Sequence, residues 1–85
     1  MKQEIYEIIK PQVLSLCEKA AAKHWNMFQG EVTGPWEWRQ VSVFWHPERG
    51  WFEASVSYAK GWPHLHYAYG YTVESLIKNI AEIIE

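Results

Sequence analysis

The chain has 85 residues, of which 48% are hydrophobic and 16% aromatic, and its formal net charge is −2 at pH 7. This length and apolar content predict one folded domain over residues 1–85 and exclude a disordered chain, while the weak negative charge excludes a general attraction to nucleic acid or anionic membranes. No apolar run approaches the roughly 20 residues of a membrane span, and the single cysteine, Cys17, cannot form an internal disulfide, so a cytoplasmic protein without a membrane partner is expected.

A stripe of mostly apolar residues at helical spacing predicts a first helix over about residues 3–28. The stripe consists of Ile5, Ile9, Val13, Leu16, Ala20 and His24. Steps of three and four residues place these side chains on one face. Pro11 falls inside the stretch, where a proline removes one hydrogen bond and clashes with the preceding turn. Since the stripe keeps its phase across Pro11, one long helix kinked near Lys10–Pro11 is favoured over two separate helices.

Three predicted strands follow a connecting loop. Residues 29–35 contain two glycines and a proline, which predicts the loop. The strands are WEWRQVSVFWH, WFEASVSYA and HLHYAYGY. Between the first two, Pro47 suits an early turn position and Gly50 a position of positive φ, so a four-residue hairpin loop is predicted. That loop places His46 opposite Trp51.

The second turn, Lys60 to Pro63, also suits a four-residue loop, which places Ala59 opposite His64. The result is a three-stranded antiparallel meander whose side chains alternate between two faces. The core face would receive Arg39, Val41, Val43, Trp45, Phe52, Ala54, Val56, Tyr58, Leu65, Tyr67, Tyr69 and Tyr71. The opposite face would receive Trp38, Gln40, Ser42, Phe44, His46, Trp51, Glu53, Ser55, Ser57, His64, His66, Ala68 and Gly70.

A second helix is predicted from Thr72 onward. Thr72 suits the N-cap and Glu74 the first turn, where a negative charge is favourable. Its buried face would consist of Val73, Leu76, Ile77, Ile80, Ile83 and Ile84. The predicted fold is therefore α+β with the order α-β-β-β-α, a three-stranded antiparallel meander with two helices packed on one face. A single sheet offers the helices one face to cover, so its other face is left open.

This open face is the main functional indication in the sequence. It would carry aromatic rings at both ends of a shallow trough of small side chains, and contiguous apolar patches beyond roughly a few hundred Å² usually mark interaction sites. Aromatic residues are also enriched among interface hot spots. The candidate contacts are Trp38, Phe44, His46, Trp51 and His66, with Ser42 and Ser55 as the floor. The alternative is that the first helix or the loop at 29–35 covers some of these rings.

The four histidines suggest a metal site, which the register argues against. His46 lies several pairing rows from His64, and the neighbours of His64 and His66 include no strong third ligand, whereas a structural zinc site normally needs about four. Cys17 and His24 fall on one helical face but about 10 Å apart, beyond the reach of a nucleophile and its base. The sequence therefore predicts no metal, no cofactor and no enzymatic activity.

The order α-β-β-β-α is also that of double-stranded-RNA-binding domains. Those domains begin their second helix with a cluster of lysines, whereas this helix begins with Thr72 to Glu74, so the electrostatic attraction to phosphates is missing. Single strands could stack on Trp38, Phe44 and Trp51, but the face lacks the basic groove that usually accompanies such sites. Nucleic acid is therefore not the favoured partner.

Residues Gly50 to Glu85 resemble a known family. The order Gly50-Trp51-Phe52-Glu53-Ala54-Ser55-Val56, followed by Gly70-Tyr71-Thr72-Val73-Glu74-Ser75-Leu76, looks like the strand–strand–helix pattern of HicB-like antitoxins. In that family a glycine–aromatic strand precedes a Gly-x-Thr helix start, and the domain neutralises a small toxin. The resemblance implies a small protein that works by binding another protein.

The open aromatic face supports two hypotheses. The first is a non-enzymatic regulator or inhibitor that uses this face to mask a protein partner, or to associate with itself as a homodimer. The alternative is a binder of single-stranded nucleic acid or of a small aromatic ligand on the same face.

Overall fold

Two helices and a four-stranded antiparallel sheet make up the part of the chain that the computed structural model describes, residues 2–23, 28–35, 39–58 and 65–85. In chain order the elements are α1 (Lys2–Lys23), β1 (Phe28–Val32), β2 (Arg39–His46), β3 (Trp51–Tyr58), β4 (Leu65–Gly70) and α2 (Val73–Ile84). The strand order is β1-β2-β3-β4, and both helices pack on one face of the sheet. The predicted α+β fold is confirmed, with four strands instead of three. Neither of these two helices is long and apolar enough to cross a membrane.

The first helix runs without a break through Pro11. Its predicted end near residue 28 is wrong, because β1 begins at Phe28; residues 24–27, which include His24, lie outside the described ranges. The predicted stripe faces the core, where the fully or almost fully buried residues of the helix are Ile9, Val13, Leu16, Cys17 and Ala20.

The side chain of Gln12 ties α1 to the end of β1. Its Oε1 accepts a hydrogen bond from the N–H of Thr33 at 3.0 Å, and its Nε2 donates to the carbonyl oxygen of Thr33 at 3.1 Å. One side-chain amide therefore satisfies both backbone polar groups of the first residue after the strand.

The strand β1 lies where the sequence predicted a loop, so that prediction is wrong for residues 29–32. The strand pairs along its whole length with β2. Gly30 favoured a loop in the sequence, because glycine usually marks turns. In the fold it permits close packing instead, since a Cβ at Gly30 would lie 3.3 Å from Cδ2 of Leu16 on α1.

The hairpin between β2 and β3 has the predicted register, with His46 paired with Trp51. The carbonyl oxygen of His46 accepts hydrogen bonds from the N–H of Arg49 at 3.2 Å and of Gly50 at 2.8 Å. Gly50 has φ 75°, a left-handed conformation that glycine adopts without the steric clash of a Cβ. The turn residues thus determined this register.

The register between β3 and β4 differs by one residue from the prediction. Ser55 pairs with Tyr67 rather than with Ala68. A slip of one residue turns every side chain of a strand to the other face. The side chains of Leu65, Tyr67 and Tyr69 therefore lie on the open face, and those of His66, Ala68 and Gly70 on the face that the helices cover. Residues 59–64 of the predicted second turn lie outside the described ranges.

The close approach of α2 explains this orientation of β4. A Cβ at Gly70 would lie 2.5 Å from the backbone nitrogen of Leu76 and 2.7 Å from Oγ of Ser75. Ala68, which pairs with Ala54, is also buried beneath the helices. Bulky tyrosines on this side would hold α2 away from the sheet, so the small residues of β4 face inward.

The second helix begins at the predicted N-cap. The N–H of Ser75 donates to Oγ1 of Thr72 at 3.1 Å, and Oγ of Ser75 accepts from the N–H of Thr72 at 3.4 Å, which forms a capping box. The carboxylate of Glu74 accepts a hydrogen bond from the Tyr6 hydroxyl and lies 3.8 Å from Nζ of Lys10, joining α2 to α1. The buried residues of α2 are Leu76, Ile77, Ile80, Ala81 and Ile84.

Candidate partner-binding face

The open face is the side of the sheet opposite the two helices. Strand pairing places on it Gln29, Glu31, Gln40, Ser42, Phe44, His46, Trp51, Glu53, Ser55, Ser57, Leu65, Tyr67 and Tyr69. The alternative in which the first helix covers this face is wrong for α1, whose buried residues pack with Val41 and Val43 on the other side. Residues 29–32 extend the face as β1 and add the carboxylate of Glu31 to that of Glu53.

Most of the predicted contact residues lie on this face. They are Ser42, Phe44, His46, Trp51 and Ser55. The placement of His66 is wrong, because His66 pairs with Val56 and shares the helix-covered side of β4. Trp38 lies outside the described ranges. Ser42 is only 8% exposed, so it forms the floor of the face, as predicted, and offers little surface for contact.

The side chains that dominate the exposed surface were missed by the sequence reasoning. Leu65, Tyr67 and Tyr69 are 48%, 54% and 51% exposed, and Tyr71, directly after β4, is 72% exposed. Their spacing of two residues showed that they share one face, but their size favoured the core. The small residues between them, Ala68 and Gly70, are those that a closely packed helix requires, but the sequence alone does not show on which side that helix packs.

Three rings at one end of the open face form what we call the aromatic corner: Trp51, Tyr69 and Tyr71. They line a shallow depression of about 440 Å³ that is largely open to solvent. The ring of Trp51 meets Tyr69 at a centroid distance of 6.5 Å and 75°, and Tyr71 at 5.7 Å and 77°. Such edge-to-face contacts hold aromatic rings in place. The guanidinium carbon of Arg49 lies 5.5 Å from the centroid of the Trp51 ring, a cation–π distance.

A polar pair lies beside this corner. Nε2 of His46 is 2.9 Å from Oε1 of Glu53, and both side chains are partly buried. The His46 ring stacks on Phe44 at 6.3 Å and meets Trp51 at 6.4 Å. His46 and Glu53 are therefore hydrogen-bonded to each other among aromatic rings. This reduces the desolvation penalty of covering the two side chains with a partner.

The geometry of the described residues does not assemble a nucleophile with a base. On the open face Ser55 lies two pairing rows from His46, about 13 Å away at the usual strand rise. Cys17 is buried in the core, and burial raises the pKa of its thiol to about 12, with the charge of Glu18 adding to the shift. Within residues 2–23, 28–35, 39–58 and 65–85, no three His, Cys, Asp or Glu side chains come together as they would to hold a metal ion.

Comparisons with known proteins return no match for this chain among family models, curated proteins or solved structures.

Proposed function

We propose that this protein is a small, non-enzymatic protein-binding module of the cytoplasm. It would bind a protein partner, or a second copy of itself, through the open face and act as a regulator or inhibitor by masking that partner. The proposal rests on one observation: the side chains of Leu65, Tyr67 and Tyr69 along β4 are each about half exposed, and this row continues into the aromatic corner.

The size of this surface indicates how a complex would be stabilised. A tyrosine buries about 150–250 Å² when fully covered, so roughly 100 Å² remains exposed on each of Tyr67 and Tyr69 and roughly 140 Å² on Tyr71. Covering the three rings would contribute roughly 8–9 kcal/mol at about 25 cal/mol per Å². Association itself costs about 4–15 kcal/mol. A stable complex would therefore need most of the open face, including Trp51 and Phe44.

The resemblance to HicB-like antitoxins offers one form of this function. It rests on the segment from Gly50 to Glu85, which contains β3, β4 and α2. A partner of that kind would be a small toxin whose surface is masked by the domain. The two carboxylates of the open face, Glu31 and Glu53, would favour a partner with a basic rim over an acidic one.

Paired substitutions test the proposal. The double variant Tyr67→Ser/Tyr69→Ser removes two exposed rings, and the control Ile8→Ser/Leu14→Ser removes two apolar side chains of 38% and 37% exposure from α1. Affinity capture from the native host, with thermal unfolding to verify the fold, should show a partner lost by the first variant and retained by the second. Retention by both variants would refute the open face as the binding surface.

The aromatic corner favours a second candidate, a small aromatic ligand. Its three rings present faces and edges against which a planar aromatic molecule can stack. Single-stranded nucleic acid is less favoured, since the open face carries Glu31 and Glu53. Titration with indole and with a short oligonucleotide, followed by amide chemical shifts of Trp51, Tyr69 and Tyr71, distinguishes the two. Only phosphate contacts would make the binding strongly salt-dependent.

A further inference from the structure

β4 is an edge strand, because it lies at one end of the strand order and pairs only with β3 among the described elements. An edge strand presents backbone N–H and C=O groups that no neighbouring strand satisfies. Which residues present them follows from the hydrogen-bond alternation of the sheet.

The β2–β3 hairpin sets this alternation. In an antiparallel ladder, pairs that exchange hydrogen bonds alternate with pairs that do not. The four-residue loop is closed by the pair His46 and Trp51, which we assign as an exchanging pair. Along β3 the backbone groups of Phe52, Ala54 and Val56 then point toward β4, where their partners are Gly70, Ala68 and His66. The remaining residues of β4, Leu65, Tyr67 and Tyr69, direct their backbone groups to the outer edge.

A side chain of α2 supports this assignment. Nδ2 of Asn79 donates to the carbonyl oxygen of Tyr69 at 2.6 Å, so this oxygen faces away from β3. Asn79 satisfies one outward group of the edge. The outward N–H groups of Leu65, Tyr67 and Tyr69 and the carbonyl oxygens of Leu65 and Tyr67 have no partner within the described ranges.

The two edges of the sheet differ in charge. Natural edge strands are usually protected against pairing by charged residues, prolines or bulges. The outer strand β1 carries Glu31 as the fourth of its five residues, whereas β4, with the sequence LHYAYG, holds no proline and no charged residue when His66 is neutral. If two copies of the short strand β1 paired about its middle residue, the two Glu31 carboxylates would be diagonal neighbours on one face, where like charges repel. β4 is the edge that avoids this repulsion.

We propose that β4 is a self-pairing edge, which joins β4 of a second copy in antiparallel fashion. A two-fold axis at Tyr67 would pair Tyr67 with Tyr67 of the second copy and Leu65 with its Tyr69, and the two four-stranded sheets would become one of eight strands. The carbonyl oxygen of Tyr69 can accept from both Asn79 and the second copy, because it has two lone pairs.

This pairing goes beyond the proposed function, because it uses backbone groups at the edge of the sheet and leaves the open face uncovered. The two open faces would form one surface, with tyrosine and leucine side chains adjacent across the new strand pair. Cross-strand pairs of this type each contribute about 0.2–1 kcal/mol relative to alanine.

Amide hydrogen exchange measured by NMR in dilute and concentrated samples tests the pairing. In the monomer the amides of His66, Ala68 and Gly70 should exchange slowly and those of Leu65, Tyr67 and Tyr69 rapidly. At a total chain concentration ten times the dissociation constant about one chain in five is monomeric, so the outward amides should exchange about fivefold more slowly, while light scattering shows an average mass approaching twice that of the monomer. A strict monomer at all concentrations would overturn the proposal. A dimer whose outward amides still exchange rapidly would also overturn it, but would leave the open-face proposal standing.

Substitutions at Tyr67 distinguish pairing through the edge of β4 from association through the open face. Tyr67→Pro removes an outward N–H that β3 does not use, and Tyr67→Thr removes the same ring but keeps the N–H. The dimer should be lost in Tyr67→Pro and retained in Tyr67→Thr. If Tyr67→Pro does not fold, Tyr67→Lys places a charge beside the axis, and its dimer should be weaker than that of wild type and regain affinity at high salt. Unchanged dimerisation in Tyr67→Lys would refute the pairing.

Discussion

Replacing Gly70 with alanine should destabilise the domain by about 2 kcal/mol. The Cβ added at this position would lie 2.5 Å from the backbone nitrogen of Leu76, 2.9 Å from its Cα and 2.7 Å from Oγ of Ser75. Two of these three atoms belong to the backbone of α2, which cannot rotate away as a side chain can. The first turn of α2 must therefore move off the sheet.

The magnitude follows from typical costs of overpacking. Inserting a methyl group into a well-packed core costs about 1–3 kcal/mol, and backbone contacts place Gly70 in the upper part of this range. Roughly 0.5 kcal/mol of this destabilisation is offset, because alanine lowers the conformational entropy of the unfolded chain relative to glycine. For a domain of this length, about 2 kcal/mol corresponds to a fall in Tm of roughly 8–16 °C.

Gly30 provides the matched control, since it is also a strand glycine beneath a helix. Its added Cβ would meet Cδ2 of Leu16 at 3.3 Å, the end of a side chain that can adjust, so Gly30→Ala should cost less than about 1 kcal/mol. Both variants are compared by urea unfolding, in which the midpoint should shift and the slope should not. If Gly70→Ala were as stable as the wild type, Gly70 would face the open side and the β3–β4 register described above would be wrong.

Three further predictions concern polar groups outside the sheet. The hydrogen bond to Glu74 raises the pKa of Tyr6 from 10.0 to about 12, so the stabilisation by this bond is complete below pH 10 and is lost as the pH rises through 12. Absorbance at 295 nm should show a tyrosine titration near pH 12 that is absent in Tyr6→Phe. Burial raises the pKa of Cys17 to about 12, so Ellman's reagent should label it at pH 8 only after denaturation, and rapid native labelling would contradict its burial. Gln12→Ala loses two hydrogen bonds to Thr33 and should lower the free energy of unfolding in urea by about 1 kcal/mol. An unchanged midpoint would show that these two hydrogen bonds do not stabilise the domain.

The sequence predicted the β2–β3 hairpin residue by residue, because its turn has strong local chemistry. Pro47 and Gly50 are compatible with one loop length, and the pairing from His46 and Trp51 outward follows from that length. The apolar spacing of both helices was equally informative, since Ile9, Leu76 and their neighbours are buried as predicted.

The register of β4 could not be predicted, because the alternation in HLHYAYGY is consistent with either face being buried. Tyrosine suits a core by its size and a surface by its hydroxyl, so burial preference alone did not decide. The deciding interaction is the contact of Gly70 with α2, which is a tertiary contact and leaves no local signal. Because of this ambiguity the sequence placed His66 in the candidate site and left out Tyr67 and Tyr69, whereas the structure places the two tyrosines on the open face and His66 on the other.

The sheet order β1-β2-β3-β4 has a consequence for how the domain folds. Each strand pairs with its neighbour in sequence, so every ladder closes a short loop at a small entropic cost. The hydrogen bond between Tyr6 and Glu74 spans 68 residues and closes a loop that contains the whole sheet. We therefore expect the hairpin to form before the two helices meet, since local contacts form early. Tyr6→Phe should then accelerate unfolding and leave the folding rate nearly unchanged in stopped-flow measurements.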